Sequence, residues 1–258
     1  MASKRPEYVI EHMEEDDPDA PSVFPEWALL EYRHMLSLVG AGSTVHFTSL
    51  SSASLDSLRE ALSSSSSTNP PRAAFELHTA SITTLAEKQG IPLSSICLLD
   101  PRAQYCLHAS DAGKYPAPSV SEESQEGQAG GPFTHFLYGG ILGDDPPRDR
   151  TSSLRALGFP GRHLGKVQMT TDTALGVTKR IVEDGKGMGD QEGVRGEGPE
   201  GALQWMEFPE LKFGKGESVS MPFRYMTDET AKGSEPQPLM PPGMREHIRK
   251  DLDRSFEF

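Results

Sequence analysis

The distribution of apolar residues predicts a chain in which strands and helices alternate. Two unbroken apolar runs, residues 96–99 and 135–142, are typical of parallel strands that are covered on both faces. Residues 7–13, 43–50 and 162–169 predict three further strands. Because helical patterns lie between these segments, the sequence predicts an α/β fold with a mainly parallel sheet.

The helical segments are marked by periodic apolar positions and by residues that start or stop helices. Pro25 suits a first helical turn, and Gly40 ends the same pattern. Thr151 is predicted to cap a short helix that ends before Gly158. Helices are predicted within residues 25–39, 75–90, 151–158, 170–184 and 240–256, and two further strands within 203–208 and 219–226.

Four segments break this pattern because they contain almost no core-forming residues. They are rich in serine, glycine, proline or acidic residues and cannot bury enough apolar surface to offset the entropy of ordering. We therefore predict one domain over residues 1–258 with low-complexity insertions. These insertions lie near residues 63–72, 109–132, 183–201 and 227–238.

Charge and composition restrict the partners and the compartment. The net charge of −13 argues against a general nucleic-acid-binding surface and suits a basic protein substrate, although acidic insertions contribute to it. No apolar stretch approaches the roughly 20 residues that span a bilayer. The two cysteines, Cys97 and Cys106, are too few for a disulfide framework. We expect a cytoplasmic protein without a membrane partner.

Three predicted strands end in loops of unusual composition: residues 100–102, 139–150 and 169–173. In parallel α/β sheets, ligands bind at the carboxyl ends of strands. The glycines of the second loop allow backbone to approach a ligand, and its prolines stiffen the exit. Each loop alone has a structural explanation, such as a strand bulge or a helix cap. Three loops at successive strand ends favour a binding site.

Other common sites are not indicated. The glycines match neither a dinucleotide nor a triphosphate motif, and no nucleophile elbow is present. No histidine or cysteine pair has metal-ligand spacing, so we expect no metal. His12 and His163 are interpreted as packing or hydrogen-bonding residues.

Several long motifs resemble one family of the SPOUT superfamily, the family known from the yeast arginine methyltransferase of a small-subunit ribosomal protein. The resemblance covers most of the chain between the insertions. Its motifs are YVIEHMEE, PEWALLEYRHML, CLLDPRA, GGILGDDPPRDRTSSLR, KVQMTTDTALGVTKRIVED, MEFPELKF and MPFRYM.

The resemblance implies a SPOUT-type fold with a C-terminal trefoil knot whose loops hold S-adenosylmethionine (SAM). It also implies a monomer. The first loop would lie beside the knot loop, and the third would lie on the adenine side. The cofactor-binding residues implied in this way are Leu99, Asp100, Pro101, Gly139, Gly140, Ile141, Leu142, Gly143, Gln168, Met169, Thr170, Thr171 and Thr173.

Acidic residues near the knot are expected to bind the arginine of the substrate. A guanidinium is protonated at neutral pH, and a carboxylate can pair with it, orient one nitrogen and accept its proton. The candidates are Asp144, Asp149, Glu11 and Glu14, with Asp144 first. Arg148 and Arg150 would either bind the cofactor carboxylate or brace Asp149.

The resemblance thus predicts a SAM-dependent protein arginine N-methyltransferase. Its expected partner is a small-subunit ribosomal protein, free or on the ribosome, without direct nucleic-acid binding. The first alternative is a SPOUT methyltransferase of tRNA or rRNA, and the second is a non-catalytic, ribosome-associated knot protein. The sequence identifies neither the acceptor arginine nor the number of methyl groups added.

Overall fold

Six parallel strands form the central sheet of the protein. The structure is a computed structural model, and it describes residues 5–64, 71–116, 131–140, 149, 151–191, 194–196, 198–214, 216–231 and 235–255. The strands are β1 Glu7–Glu11, β2 Thr44–Thr48, β3 Ala74–Leu77, β4 Ile96–Leu99, β5 His135–Gly139 and β6 Gly161–Arg162. Their order is β3-β2-β1-β5-β4-β6, and every neighbouring pair is parallel.

Helices flank the sheet on both faces. They are α1 Glu26–Val39, α2 Leu55–Ser63, α3 Ile82–Gln89, α4 Ser152–Ala156, α5 Thr171–Val182 and α6 Met244–Ser255. Side chains of β1 alternate between two cores, with Tyr8 and Ile10 in the larger and Val9 in the smaller. The larger core includes residues of α1, α2 and α5, and the smaller includes residues of α3 and α4. The predicted α/β fold is confirmed.

Two of the predicted elements are wrong. Residues 75–90 are not one helix, because Ala74–Leu77 forms the edge strand β3 and the helix begins only at Ile82. Ser81 starts that helix by accepting a hydrogen bond from the Thr84 amide. Residues 162–169 are not one strand, since β6 ends at Arg162 and the chain continues as an irregular segment to α5.

The C-terminal half adds short antiparallel pairs to this frame. The strands are β7 Gly189–Gln191, β8 Val194–Gly196, β9 Trp205–Glu207, β10 Glu210–Gly214, β11 Glu217–Ser220 and β12 Arg224–Met226. β7 pairs with β8, β10 with β11, and β9 with β12. The two strands predicted within residues 203–208 and 219–226 correspond to β9 and β12.

The margins of two predicted insertions are part of the core. Glu183 is buried, and its carboxylate accepts a hydrogen bond of 2.6 Å from the Tyr8 hydroxyl. Asp111 is also buried and lies 3.1 Å from the guanidinium of the fully buried Arg162. These segments are therefore anchored at their ends by polar contacts that composition does not reveal. Among the described residues, no helix has the length and apolar character needed to cross a bilayer.

Candidate functional site

A cavity opens at the carboxyl ends of β4 and β5. Its volume is about 340 Å³, within the range of small-molecule sites. Its wall is formed by the loops that follow β4, β5 and β6, together with the first turn of α5. The lining residues are Leu99, Asp100, Pro101, Arg102, Tyr138, Gly139, Asp149, Thr151, Leu164, Gly165, Lys166, Val167, Gln168, Met169, Thr171 and Ala174.

Asp100 is the buried anion of this wall. Its Oδ1 accepts a hydrogen bond of 3.0 Å from the Arg102 amide and one of 2.8 Å from the Arg155 guanidinium, which also donates through Nε to Oδ2. Burial raises the pKa of Asp100, but these hydrogen bonds outweigh it and hold the pKa below its ordinary value. The side chain of Asp100 is therefore ionised and fixed in position.

Asp149 joins the loop after β5 to the same cluster. Its carboxylate lies 3.2 Å from the Arg155 guanidinium and 3.0 Å from that of Arg102. Thr151 donates to Asp149 over 3.0 Å. The hydrogen bonds from Arg155 lower the pKa of Asp149. Arg155, on α4, thus holds two of the predicted loops together. The contacts of Asp149 are ion pairs that fix the position of its loop.

Gly140 connects the ends of three elements. Its amide donates to the Glu11 carbonyl over 2.8 Å, and its own carbonyl accepts from the Thr171 hydroxyl over 2.8 Å. The φ angle of Gly140 is 61°, a left-handed conformation that favours glycine. These two hydrogen bonds therefore hold the ends of β1 and β5 next to the start of α5.

The start of α5 is polar and buried. Thr170 precedes the helix in an extended conformation, and its hydroxyl donates to that of Thr173 over 2.8 Å rather than capping the backbone. The Gln168 carbonyl accepts from the Arg224 amide over 2.8 Å, which ties this segment to β12. Thr171 and Ala174 of the first helical turn line the cavity, so the start of α5 lies where a polar ligand edge can be held.

Most of the predicted cofactor residues come together here. Seven of them line the cavity: Leu99, Asp100, Pro101, Gly139, Gln168, Met169 and Thr171. Gly140, Thr170 and Thr173 do not line the cavity, but Gly140 is hydrogen-bonded to Thr171, and Thr170 to Thr173, at its edge. Ile141, Leu142, Gly143 and the candidate base Asp144 lie outside the described residues, as do Arg148 and Arg150.

Glu11 and Glu14 lie near the carboxyl end of β1, which pairs with β5 so that Glu11 is opposite Gly139. The buried Glu11 carboxylate accepts from the hydroxyls of Thr48 and Ser49 and from the Ile82 amide. Glu14 is half-buried. The pKa of Tyr32 is raised mainly by burial and by the charge of Glu31, and the charge of Glu14 adds to this shift. Glu11 thus joins β1, β2 and α3, and a catalytic role for either residue stays a prediction.

Sequence reasoning missed part of the cavity. Leu164, Gly165, Lys166 and Val167 line it although the sequence predicts a strand there, and Tyr138, within a predicted strand, also lines it. The glycine at 165 was the available signal, because its φ of 91° interrupts an extended segment. Burial raises the pKa of Tyr138 well above its ordinary value, so the phenol stays protonated and is not a base at neutral pH.

Known arginine methyltransferases resemble this chain over nearly its whole length. The family model described as "Protein arginine N-methyltransferase SFM1-like" matches residues 7–255. The chain belongs to this family. It is 33% identical over 262 residues to the protein arginine N-methyltransferase SFM1 of Saccharomyces cerevisiae, covering 97% of each chain.

Solved structures of the yeast arginine methyltransferase SFM1 agree with this assignment. The complex with SAM is 32% identical and superposes with a TM-score of 0.67, covering 96% of this chain and 91% of the yeast chain. The complex with SAH is 32% identical with a TM-score of 0.65, covering 94% of each chain. The six-stranded parallel sheet flanked by helices is thus the fold of an SFM1-like methyltransferase.

Proposed function

We propose that this chain transfers a methyl group from SAM to an arginine of a small-subunit ribosomal protein. Family membership supports arginine methylation, and the SAM and SAH complexes of the yeast relative support the methyl donor. The observation that carries the proposal is the single cavity formed by the three loops after β4, β5 and β6. The ribosomal substrate rests on the sequence motifs.

The residues that line the cavity fit an amphipathic small molecule such as SAM. Leu99, Leu164 and Met169 give apolar surface, while Gln168 and Thr171 give polar groups at the start of α5. Gly139 has no side chain to narrow the cavity, and the left-handed φ of Gly140 favours glycine at that position. These residues would hold SAM. When bound, SAM supplies an electrophilic methyl group on its sulfonium sulfur.

The protein side chains must position a guanidinium and take up its proton. Positioning alone supplies a large part of the rate acceleration of such a displacement. The cationic guanidinium gains the methyl group and loses one proton, so that the methylated guanidinium keeps a single positive charge while SAM leaves as SAH. Tyr138 is excluded as the base by its raised pKa. Asp100 and Asp149 are each already paired with Arg155. Asp144, which lies five residues before Asp149 in the same loop, is therefore the first candidate, ahead of Glu11 and Glu14.

The resemblance to the SPOUT superfamily adds further proposals. We propose that the fold contains a C-terminal trefoil knot, that the protein acts as a monomer, and that it is cytoplasmic. Both cysteines are free, which suits a reducing compartment. The net charge of −13 favours a basic protein substrate over RNA.

Incubation of the purified chain with labelled SAM and small ribosomal subunits tests the proposal. Digestion of separate samples with a ribonuclease and with a protease locates the label. We expect label in protein that survives the ribonuclease. Label in RNA would instead indicate a SPOUT RNA methyltransferase. Failure of the chain to bind SAM would indicate a non-catalytic, ribosome-associated protein.

A further inference from the structure

Two histidines and a glutamate converge at the edge of the sheet far from the cavity. His46 lies on β2, opposite Glu76 of the edge strand β3, and His78 follows Glu76 by two positions on the same side of the chain. His46 is buried, whereas the side chains of His78 and Glu76 are 20% and 53% exposed. The cluster therefore opens toward solvent on one side. Two strands, β2 and β1, separate β3 from β5 and the cavity.

Three atoms of this cluster form a triangle with equal sides. His46 Nδ1 lies 3.4 Å from His78 Nε2 and 3.4 Å from Glu76 Oε2, and the latter two atoms are also 3.4 Å apart. Ligands about 2.0–2.1 Å from a tetrahedral zinc ion stand about 3.3–3.4 Å from one another. Adjacent ligands of an octahedral ion at similar bond lengths would stand only about 3.0 Å apart. The spacing thus matches three corners of a tetrahedral site.

A second carboxylate orients one of these ligands. His46 Nε2 lies 2.7 Å from Glu7 Oε2 on β1. Because a carboxylate accepts hydrogen bonds, this contact places the His46 proton on Nε2 and leaves the lone pair of Nδ1 on the side of Glu76 and His78. A carboxylate that fixes the tautomer of a ligating histidine is the usual outer partner of a protein zinc site.

We propose that His46, Glu76 and His78 bind a zinc ion, with water in the fourth position and Glu7 orienting His46. Imidazole and carboxylate ligands in tetrahedral geometry suit zinc. The ion would connect β2 to β3, whose four residues form an edge of the sheet. The sequence predicted no metal, because the ligands come from two strands and only the fold brings them together.

Zinc titration of the full-length, untagged protein after treatment with a chelator tests this proposal. Calorimetry should show one equivalent bound. Glu76→Gln and His78→Gln each remove a ligand at the surface, where the fold tolerates change, and should weaken zinc binding at least about 10-fold. Glu7→Gln should weaken it about 10- to 100-fold, the usual effect of losing an outer partner. Cobalt should give the intense visible absorption of a tetrahedral site.

The matched control is His247→Gln on α6. His247 also lies beside two carboxylates, at 3.5 Å from Glu26 and 3.4 Å from Asp251, but outside the cluster. This variant should retain wild-type zinc affinity. The absence of saturable zinc binding would overturn the proposal. Binding that is undiminished in both Glu76→Gln and His78→Gln, or an octahedral cobalt spectrum, would overturn it as well.

Discussion

The Arg155 guanidinium donates hydrogen bonds to the Asp100 carboxylate through two of its nitrogens. Its terminal nitrogen lies 2.8 Å from Asp100 Oδ1, and its Nε donates to Oδ2. Asp100 is only 3% exposed, so the guanidinium replaces the water that this carboxylate loses on folding. The pair joins the loop after β4 to α4 and forms one wall of the cavity.

Arg155→Met should therefore weaken both the fold and the cavity. The variant leaves the buried carboxylate of Asp100 without its main donor. Since Arg155 is itself 33% exposed and screened by solvent, we expect a loss of about 1–3 kcal/mol in the free energy of unfolding. SAM affinity should fall as well. Chemical denaturation and calorimetry measure the two effects.

Arg59→Met is the matched control for this variant. Arg59 pairs with Asp56, but these side chains are 52% and 89% exposed. Its loss should leave both stability and SAM affinity at their wild-type values. An equal effect of the two substitutions would contradict the structural role of Arg155.

The same pair predicts a response to acid. The pKa values of Asp100 and Asp149 are lowered in the folded protein, so their contribution to stability is present above the ordinary aspartate pKa of 3.8 and is lost as the pH falls through the folded values. In Arg155→Met, unfolding below that pH should depend less steeply on pH than in the wild type. An unchanged acid transition would contradict this assignment.

The buried carboxyl group of Glu31 predicts a loss of stability as the pH rises. Burial on α1 raises its pKa well above 4.5, and the nearby charge of Asp172 adds to the shift. Its contribution to stability is therefore complete below 4.5 and is lost as the pH rises through the folded pKa. Relative to wild type, Glu31→Gln should therefore gain stability between about pH 5 and pH 8.

Denaturation at the two pH values measures this gain. The control is Glu60→Gln, an exposed residue of α2, which should change stability equally at both pH values. A Glu31→Gln variant whose stability relative to wild type does not improve with pH would disprove the raised pKa.

Gly140→Val should abolish SAM binding. The φ of 61° is strained for a β-branched residue, and a shift of this backbone would break its hydrogen bonds to Glu11 and Thr171. Gly90→Val is the control, since Gly90 has a φ of 67° and open space around an added Cβ. It should lose stability but keep SAM affinity. Unchanged affinity in folded Gly140→Val would remove this loop from the site.

The sequence predicted the elements with strong patterns and missed those that depend on distant contacts. The buried runs of β4 and β5 and the helices α4 and α5 were predicted correctly, because local composition determines them. The predicted capping of α4 by Thr151 was wrong, since the Thr151 hydroxyl donates to Asp149 instead of accepting from the helix backbone. β3 was missed because four residues at a sheet edge, with alternate side chains exposed, give too short a pattern. Only pairing with β2 decides its conformation.

The candidate site was likewise predicted from the sequence only in part. Glycines, threonines and the Asp100 loop were recognisable because they interrupt strong patterns. The role of Arg155 was not, since it depends on three segments meeting in space. The buried pair of Arg162 and Asp111 was likewise hidden, because Asp111 lies in a segment that composition describes as solvated.

Asp144→Asn should bind SAM almost normally but transfer methyl groups about 10²- to 10⁴-fold more slowly, the usual loss of a general base. The substitution keeps the shape of the side chain and removes the charge that pairs with a guanidinium. Asp145→Asn, one residue on, is the control and should cost less. Calorimetry and turnover on ribosomal subunits separate binding from chemistry. Wild-type turnover in Asp144→Asn would move the role to Glu11 or Glu14.

The most direct test of the proposed function identifies the methylated atom. Small ribosomal subunits are incubated with SAM and either the wild-type chain or Gly140→Val, and their proteins are analysed by mass spectrometry after digestion. The wild-type chain should add methyl groups to the guanidinium of an arginine in one small-subunit protein, and Gly140→Val should add none. Subunit proteins that carry no new methylarginine, although the wild-type chain binds SAM, would contradict the proposal.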